Sequence, residues 1–219
     1  MNRSTSMSMV VCVALMVSTH AEAARLGKGR SLVLVGVSGH RGEFASPFGS
    51  PFLPLESSEV GGTLAYGRFI DDDWSVGIAG TYYAGREKAA NNYPSGAPNE
   101  TTTLHSHTFS ARIGTDRFAF VNDNVGLFTG PGILVTQGRA KIVDAVSPPG
   151  TGGGTSQGPN STGFGVDWRI GMYARLNGSA ALYAHVGQSL AYNSGKYSDG
   201  DVSWWSSSPE GSLGLAFDF

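Results

Sequence analysis

Beyond residue 12 the sequence contains no cysteine, and its single one, Cys12, lies within an apolar N-terminal stretch. Disulfides, thiolate zinc sites and thiol nucleophiles are thereby excluded from everything downstream. Charge is scarce as well: charged residues make up 15% of the chain, with a formal balance of −2, which gives nucleic acid no basic surface to meet. Long apolar runs are missing too. The stretch from Met7 to Val17 is short of the ~20 residues a spanning helix needs, and nothing after it approaches ~18. A membrane protein of this sequence cannot be helical.

The first 23 residues instead have the layout of a cleavable secretory signal. Arg3 supplies the positive start, Met7 to Val17 the apolar centre, and Ala21-Glu22-Ala23 a small-x-small cleavage site. The expected organisation is a signal peptide over 1–23 and one domain over 24–219. What is plentiful is glycine, at 32 residues, with an aromatic share of 11%. Together with the low charge these point to an all-β, turn-rich chain.

From residue 30 onward apolar residues recur at every second position, in segments near the ~9–11 residues of a tilted membrane strand. The clearest places Phe164, Val166, Trp168, Ile170, Met172, Ala174 and Leu176 on one face, against Gly165, Asp167, Arg169, Gly171, Tyr173 and Arg175 on the other. A second sets Trp74, Val76, Ile78, Gly80, Tyr82 and Ala84 against Ser75, Gly77, Ala79, Thr81 and Tyr83. Val60 to Tyr66, Phe109 to Ile113, Val125 to Val135 and Leu182 to Tyr192 repeat the pattern, the last with Gln188 as a polar intruder. In Ser31 to Gly39 both faces are apolar at first, and Val33, Val35 and Val37 are taken as the outward set. An apolar face this long, backed by charges, is expected to face lipid.

Connections alternate in length. Asp71-Asp72-Asp73, Asn122-Asp123-Asn124 and Asn177-Gly178-Ser179 are tight polar turns. Between them lie Gly-, Pro- and Ser-rich stretches at about 41–58, 86–103, 138–161 and 193–203, expected to be long loops because eight of the ten prolines fall in the first three. Three turns and four loops give eight strands, up and down. Pro131 and Pro209 fall inside strands, where a bulge near each is expected, or for Pro209 a place at the outer rim.

The last segment, Gly211 to Phe219, carries Leu213, Leu215, Phe217 and Phe219 at alternate positions and ends on an aromatic. This resembles the C-terminal signature of bacterial outer-membrane β-barrels. With the signal and the eight-strand layout, residues 30–219 resemble the small OmpA/OmpX-type barrels, as a barrel alone without the peptidoglycan-binding domain of OmpA-like proteins. The resemblance implies an antiparallel up-and-down transmembrane barrel in the bacterial outer membrane, surrounded by lipid and lipopolysaccharide. It also implies that the barrel-assembly machinery reads the four C-terminal apolar residues.

An eight-stranded barrel is just wide enough for side chains to fill it. The inward set is mostly Gly, Ala, Ser and Thr with a few charges, Arg112, Asp167, Arg169, Arg175 and Asp218, which survive burial only when paired. A plugged lumen is expected. Aromatic girdles are expected at both bilayer interfaces: Tyr66, Phe69, Trp74, Phe217 and Phe219 on the turn side, and Tyr82, Phe164, Tyr192, Trp204 and Trp205 on the loop side.

Catalytic candidates are thin. His105 and Ser106 are adjacent on a strand and point to opposite faces, while His185 and Ser189 share a face but stand ~13 Å apart. The His-x-Ser spacing of outer-membrane enzymes acting on lipid A is missing. His105 and His107 share a face without a third metal ligand, and Gly150 to Gly154 lacks the Lys-Ser/Thr of a phosphate loop. No catalytic residue, cofactor or metal is therefore assigned. The expected role is structural or surface-interacting, through loops such as 41–58 with Phe44, Phe48, Phe52 and Leu53, toward a host, phage or neighbouring protein. A narrow channel and a lipid A-modifying enzyme are the alternatives.

Overall fold

A computed structural model describes residues 26–44, 55–91, 100–145, 155–197 and 200–219. Eight strands follow in chain order: β1 (Ser31–Phe44), β2 (Leu55–Phe69), β3 (Trp74–Asn91), β4 (Glu100–Phe120), β5 (Val125–Ala145), β6 (Thr155–Arg175), β7 (Ala180–Tyr197) and β8 (Gly200–Asp218). Each pairs antiparallel with its neighbours, and β8 returns to β1, closing the barrel. The sheet thus has no free edge along its closed part, as an unsolvated backbone requires.

The period-2 pattern becomes the two faces of this wall. Val37, Leu64, Ile78, Ile113, Ile133, Val166, Ile170, Val186 and Leu213 are exposed on the outside, while Leu34, Thr63, Tyr83, Arg112, Leu134, Asp167, Tyr183 and Ala216 are buried within. The outward set assigned in Ser31 to Gly39 is the observed one, since Leu32 and Leu34 turn inward.

Stagger follows from the register. Rungs run from Val33 through Tyr66, Ile78, Ile113, Ile133, Val166, Leu190 and Ser207. Extending the β8–β1 register then reaches Glu43, ten residues from the start (43 − 33 = 10). For eight strands this stagger tilts each by ~40° from the axis. The apolar face of β6 from Phe164 to Ala174 then stands about 25 Å tall, the height of a lipid-facing band.

Three four-residue turns close one end. Asn122 Oδ1 accepts hydrogen bonds from the amides of Asn124 and Val125, both at 2.9 Å, and Asn177 Oδ1 from those of Ser179 at 3.1 Å and Ala180 at 2.9 Å. The same side-chain-to-backbone bonding makes Asn a turn former. The chain entering β1 belongs to this end too, where Ser31 and Phe219 exchange backbone hydrogen bonds of 2.9 and 3.0 Å.

The other end departs from expectation. Much of the Gly- and Pro-rich sequence taken as loop is strand: β4, β5 and β6 run to 21 residues each and stand about 50 Å tall, twice the apolar band. Pro159 lies inside β6. Its accommodation is visible in the register, which shifts between Arg139 and Lys141, so that Gly158 and Pro159 together face Ala140 across a bulge. The bulges expected at the other two prolines are not found. At Pro131 the β4–β5 rungs skip Thr115 and Asp116 while the register holds, so the missing amide costs ladder bonds without a shift. Pro209 stays in register with Gln188 on β7 and lies one residue past His40–Glu210, the last rung between β8 and β1, where no partner asks for its amide.

Candidate functional site

The lumen is built in three layers. In the turn-side half, Leu26, Leu32, Leu34, Phe69, Phe118, Phe128, Tyr173, Tyr183 and Ala216 form one buried apolar cluster. Its rings follow one another at centroid spacings of 5.0 Å (Phe69–Phe118), 5.3 Å (Phe118–Phe128) and 4.7 Å (Phe128–Tyr183). Leu26, from the segment before β1, is 1% exposed. The small-residue lumen expected from sequence is thus displaced here by aromatics. Glycines opposite make the room: a Cβ on Gly171 would lie 2.2 Å from the Phe128 ring.

Two of the aromatics assigned to the girdles belong inside. Phe69 is 1% exposed, and Trp204 lines a loop-side cavity. Strand parity is the reason, since Phe69 follows Arg68 out of phase with Tyr66, and Trp204 and Trp205 are adjacent and must point opposite ways. Tyr66, Trp74, Tyr82, Phe164, Tyr192, Trp205 and Phe219 are exposed on the outside.

Above the aromatics lies a charged layer. Arg112 Nε donates to Asp167 Oδ2 at 2.7 Å, and its other end stands 4.0 Å from Asp116. Arg169 binds Asp116 through two guanidinium hydrogen bonds and lays its head 5.8 Å over the Phe128 ring. The five charges singled out from sequence therefore fall into two groups. Arg112, Asp167 and Arg169 meet here, joined by Asp116. Arg175 and Asp218 meet at the turn end at 3.1 Å, where Arg30 shares the same Asp218 oxygen at 3.0 Å. Asp116 and Arg30 are not among those five, although Asp116 shares its strand parity with Arg112.

The loop-side third is a polar vestibule of about 70 Å³ lined by His40, Thr108, Thr136, Ser161, Ser189, Asn193, Trp204, Ser206 and Ser208. Hydroxyls and amides largely satisfy one another there: Asn193 Nδ2 donates to Ser206 Oγ at 2.8 Å, and Ser189 Oγ to the Ser208 carbonyl at 3.1 Å. At its floor His40 sits opposite Glu59 on one side and Glu210 on the other. His185 Nε2 approaches Glu210 at 3.8 Å, and neither oxygen of the buried Glu59 has a hydrogen-bond partner among the described residues.

Ser106 is buried while His105 and His107 lie on the opposite side of the wall, where Tyr82 Oη and His107 Nδ1 share a hydrogen bond of 2.8 Å. Ser189 spends its hydroxyl on backbone, not on His185. Phe48, Phe52 and Leu53, the side chain of Phe44, and Gly150 to Gly154 lie outside the described residues, as do 1–25.

No family model and no curated protein matches the chain. Solved structures do. The outer membrane protein OprG of Pseudomonas aeruginosa matches with a TM-score of 0.52 at 10% identity, over 89% of this chain and 98% of that one. Neisserial surface protein A follows at 0.46 and 18%, covering 88% and 100%. Ail, the attachment invasion locus protein of Yersinia pestis, gives 0.41 and 15%, covering 88% and 99%. The chain has the fold of a small bacterial outer-membrane barrel.

Proposed function

We propose that the protein is an integral outer-membrane barrel whose lumen is sealed and whose loop-side end, carried well clear of the lipid, serves as a surface-interaction platform. The observation that carries this reading is the combination of an outward apolar band about 25 Å tall, which Gln188 interrupts on β7, with a lumen filled by paired charge and stacked rings. A soluble barrel of this size would turn Ile78, Ile113, Val166, Ile170 and Val186 inward. Here they are all exposed, at 54–64%.

Residues 1–23 direct export and are removed, leaving 24–219 as the working chain. Leu213, Leu215, Phe217 and Phe219 serve as the assembly signal, and the outer leaflet surrounds the barrel with lipopolysaccharide. The role is non-catalytic. Arg112, Asp116, Asp167 and Arg169 are spent on one another, and among the described residues no histidine is hydrogen-bonded to a serine hydroxyl.

Electrophoresis in detergent with and without boiling tests the closed barrel directly, an unboiled band that runs ahead of the boiled one being the expected result. Deleting residues 45–54 then tests the platform: the faster band should persist while adhesion of the expressing cell to its target surface falls. Identical migration of both bands contradicts the barrel reading, and unchanged adhesion contradicts the assignment to that loop.

A further inference from the structure

The outward surface changes character abruptly above the apolar band. One row of directly opposed residues, Val135, Phe164, Tyr192 and Trp205, closes the band on four adjacent strands, and the Tyr192 and Trp205 rings stand 5.4 Å apart. Amphipathic rings mark the level where hydrocarbon meets headgroups. Four residues further along β5 and β7 comes a row made of His107, Arg139, Asn160 and Lys196, with Asp201 opposite Lys196. At ~40° tilt a row itself climbs ~3 Å per strand, and on each shared strand this one lies about 10 Å above the aromatic row. The next row again is Arg86, His105 and Lys141 on β3, β4 and β5.

We propose that these two rows, centred on Arg86, Arg139 and Lys141, form a binding belt for the phosphate groups of lipid A in the outer leaflet; this rests on the membrane reading above. Arg86, Arg139 and Lys141 are exposed, face outward, and form no ion pair with a described residue. Neighbouring strands are ~4.8 Å apart and alternate residues ~7 Å, so Arg139 and Lys141 start ~7 Å apart on β5 with Arg86 about 10–12 Å from them, within reach of one phosphate for three long cationic side chains. Guanidinium groups supply the bidentate geometry that phosphate oxygens prefer.

Opposite charge is scarce around them, Asp201 being the one acidic residue with a described side chain on either row. The turn end differs. On its strands the outward cations are Arg68 and Arg117, and Arg117 is already held by Asp73 at 3.4 Å and lies 6.0 Å from the Trp74 ring. A cation that points away from the lumen at headgroup height meets the phosphates of the surrounding lipid. That position, not charge alone, selects lipid over a free anion.

The test uses the folded protein in neutral detergent micelles and counts bound lipid by native mass spectrometry. The probes are bisphosphorylated lipid A, its dephosphorylated form, and inorganic phosphate as competitor. Wild type should prefer the phosphorylated lipid by at least about tenfold. The variant R86Q/R139Q/K141Q should bind it more weakly, by on the order of a hundredfold, and lose the preference, while R68Q/R117Q keeps it.

Equal binding of both lipids by wild type, or full binding by the triple variant, would overturn the belt. Displacement of lipid A by millimolar phosphate would overturn the lipid assignment. Unboiled migration is checked for every variant, so loss of the barrel is told apart from loss of the belt; a triple variant that fails to fold is replaced by R139Q and K141Q singly, each expected to weaken binding several-fold.

Discussion

Arg112 and Asp167 show how much of this barrel depends on single contacts. Both side chains are at least nine-tenths buried and stand 2.7 Å apart. Removing one leaves the other charged in a medium that cannot solvate it, which typically costs ~3–5 kcal/mol. Asp167→Ala is therefore expected to lower the unfolding free energy by that order, measured as the urea midpoint of protein folded into lipid vesicles. Glu59→Gln should not, because neither carboxylate oxygen has a partner to lose. Glycine gives a second contrast. At Gly171 a Cβ meets the Phe128 ring and the Ala184 carbonyl, whereas at Gly62 the nearest atom is 4.0 Å away. Gly171→Val is expected to destabilise by more than ~2 kcal/mol and Gly62→Ala to change little in the same titration.

The strands were legible in the sequence because period 2 survives any tilt or stagger. Parity alone puts Val33, Leu64, Ile113 and Ile170 outside and Arg112, Asp167 and Arg169 inside. What parity does not give is height. Arg112 finds Asp167 across 55 residues of sequence, and Arg30 finds Asp218 across 188. Those meetings depend on the ten-residue stagger, which emerges only when all eight registers are combined. Strand length is not legible in the same way: Gly- and Pro-rich sequence at the outer ends signals turns when read locally, yet a paired strand tolerates Pro159 at a bulge, and β8 tolerates Pro209 where only β7 pairs with it. At the scale of one element, then, β6 makes the clearest prediction. Ile170→Arg places a charge near the middle of the band and should cost ~2–4 kcal/mol, while Thr162→Arg, past Phe164, should cost under ~1 kcal/mol by the same measurement.

For the whole molecule, function follows from what the barrel closes and what it presents. The turn-side aromatics, the charged layer and Leu26 fill the lumen with buried side chains, so purified protein in planar bilayers is expected to show no conductance above the bare membrane; steady single-channel steps would revive the channel alternative. The outer end, by contrast, rises about 25 Å above the lipid on β4 to β6.

The central claim is that the apolar face touches lipid. The chain has no cysteine beyond residue 12, so single cysteines can be placed without background at each position from 164 to 174 and labelled with a nitroxide. The protein is then folded into vesicles and probed with oxygen, which enters the bilayer, and a nickel chelate, which does not. Strong oxygen access at 164, 166, 168, 170, 172 and 174, alternating with little access to either probe between them, is the result this account predicts. Even positions shielded from both would mean that the stripe packs against protein, and the membrane barrel would be contradicted.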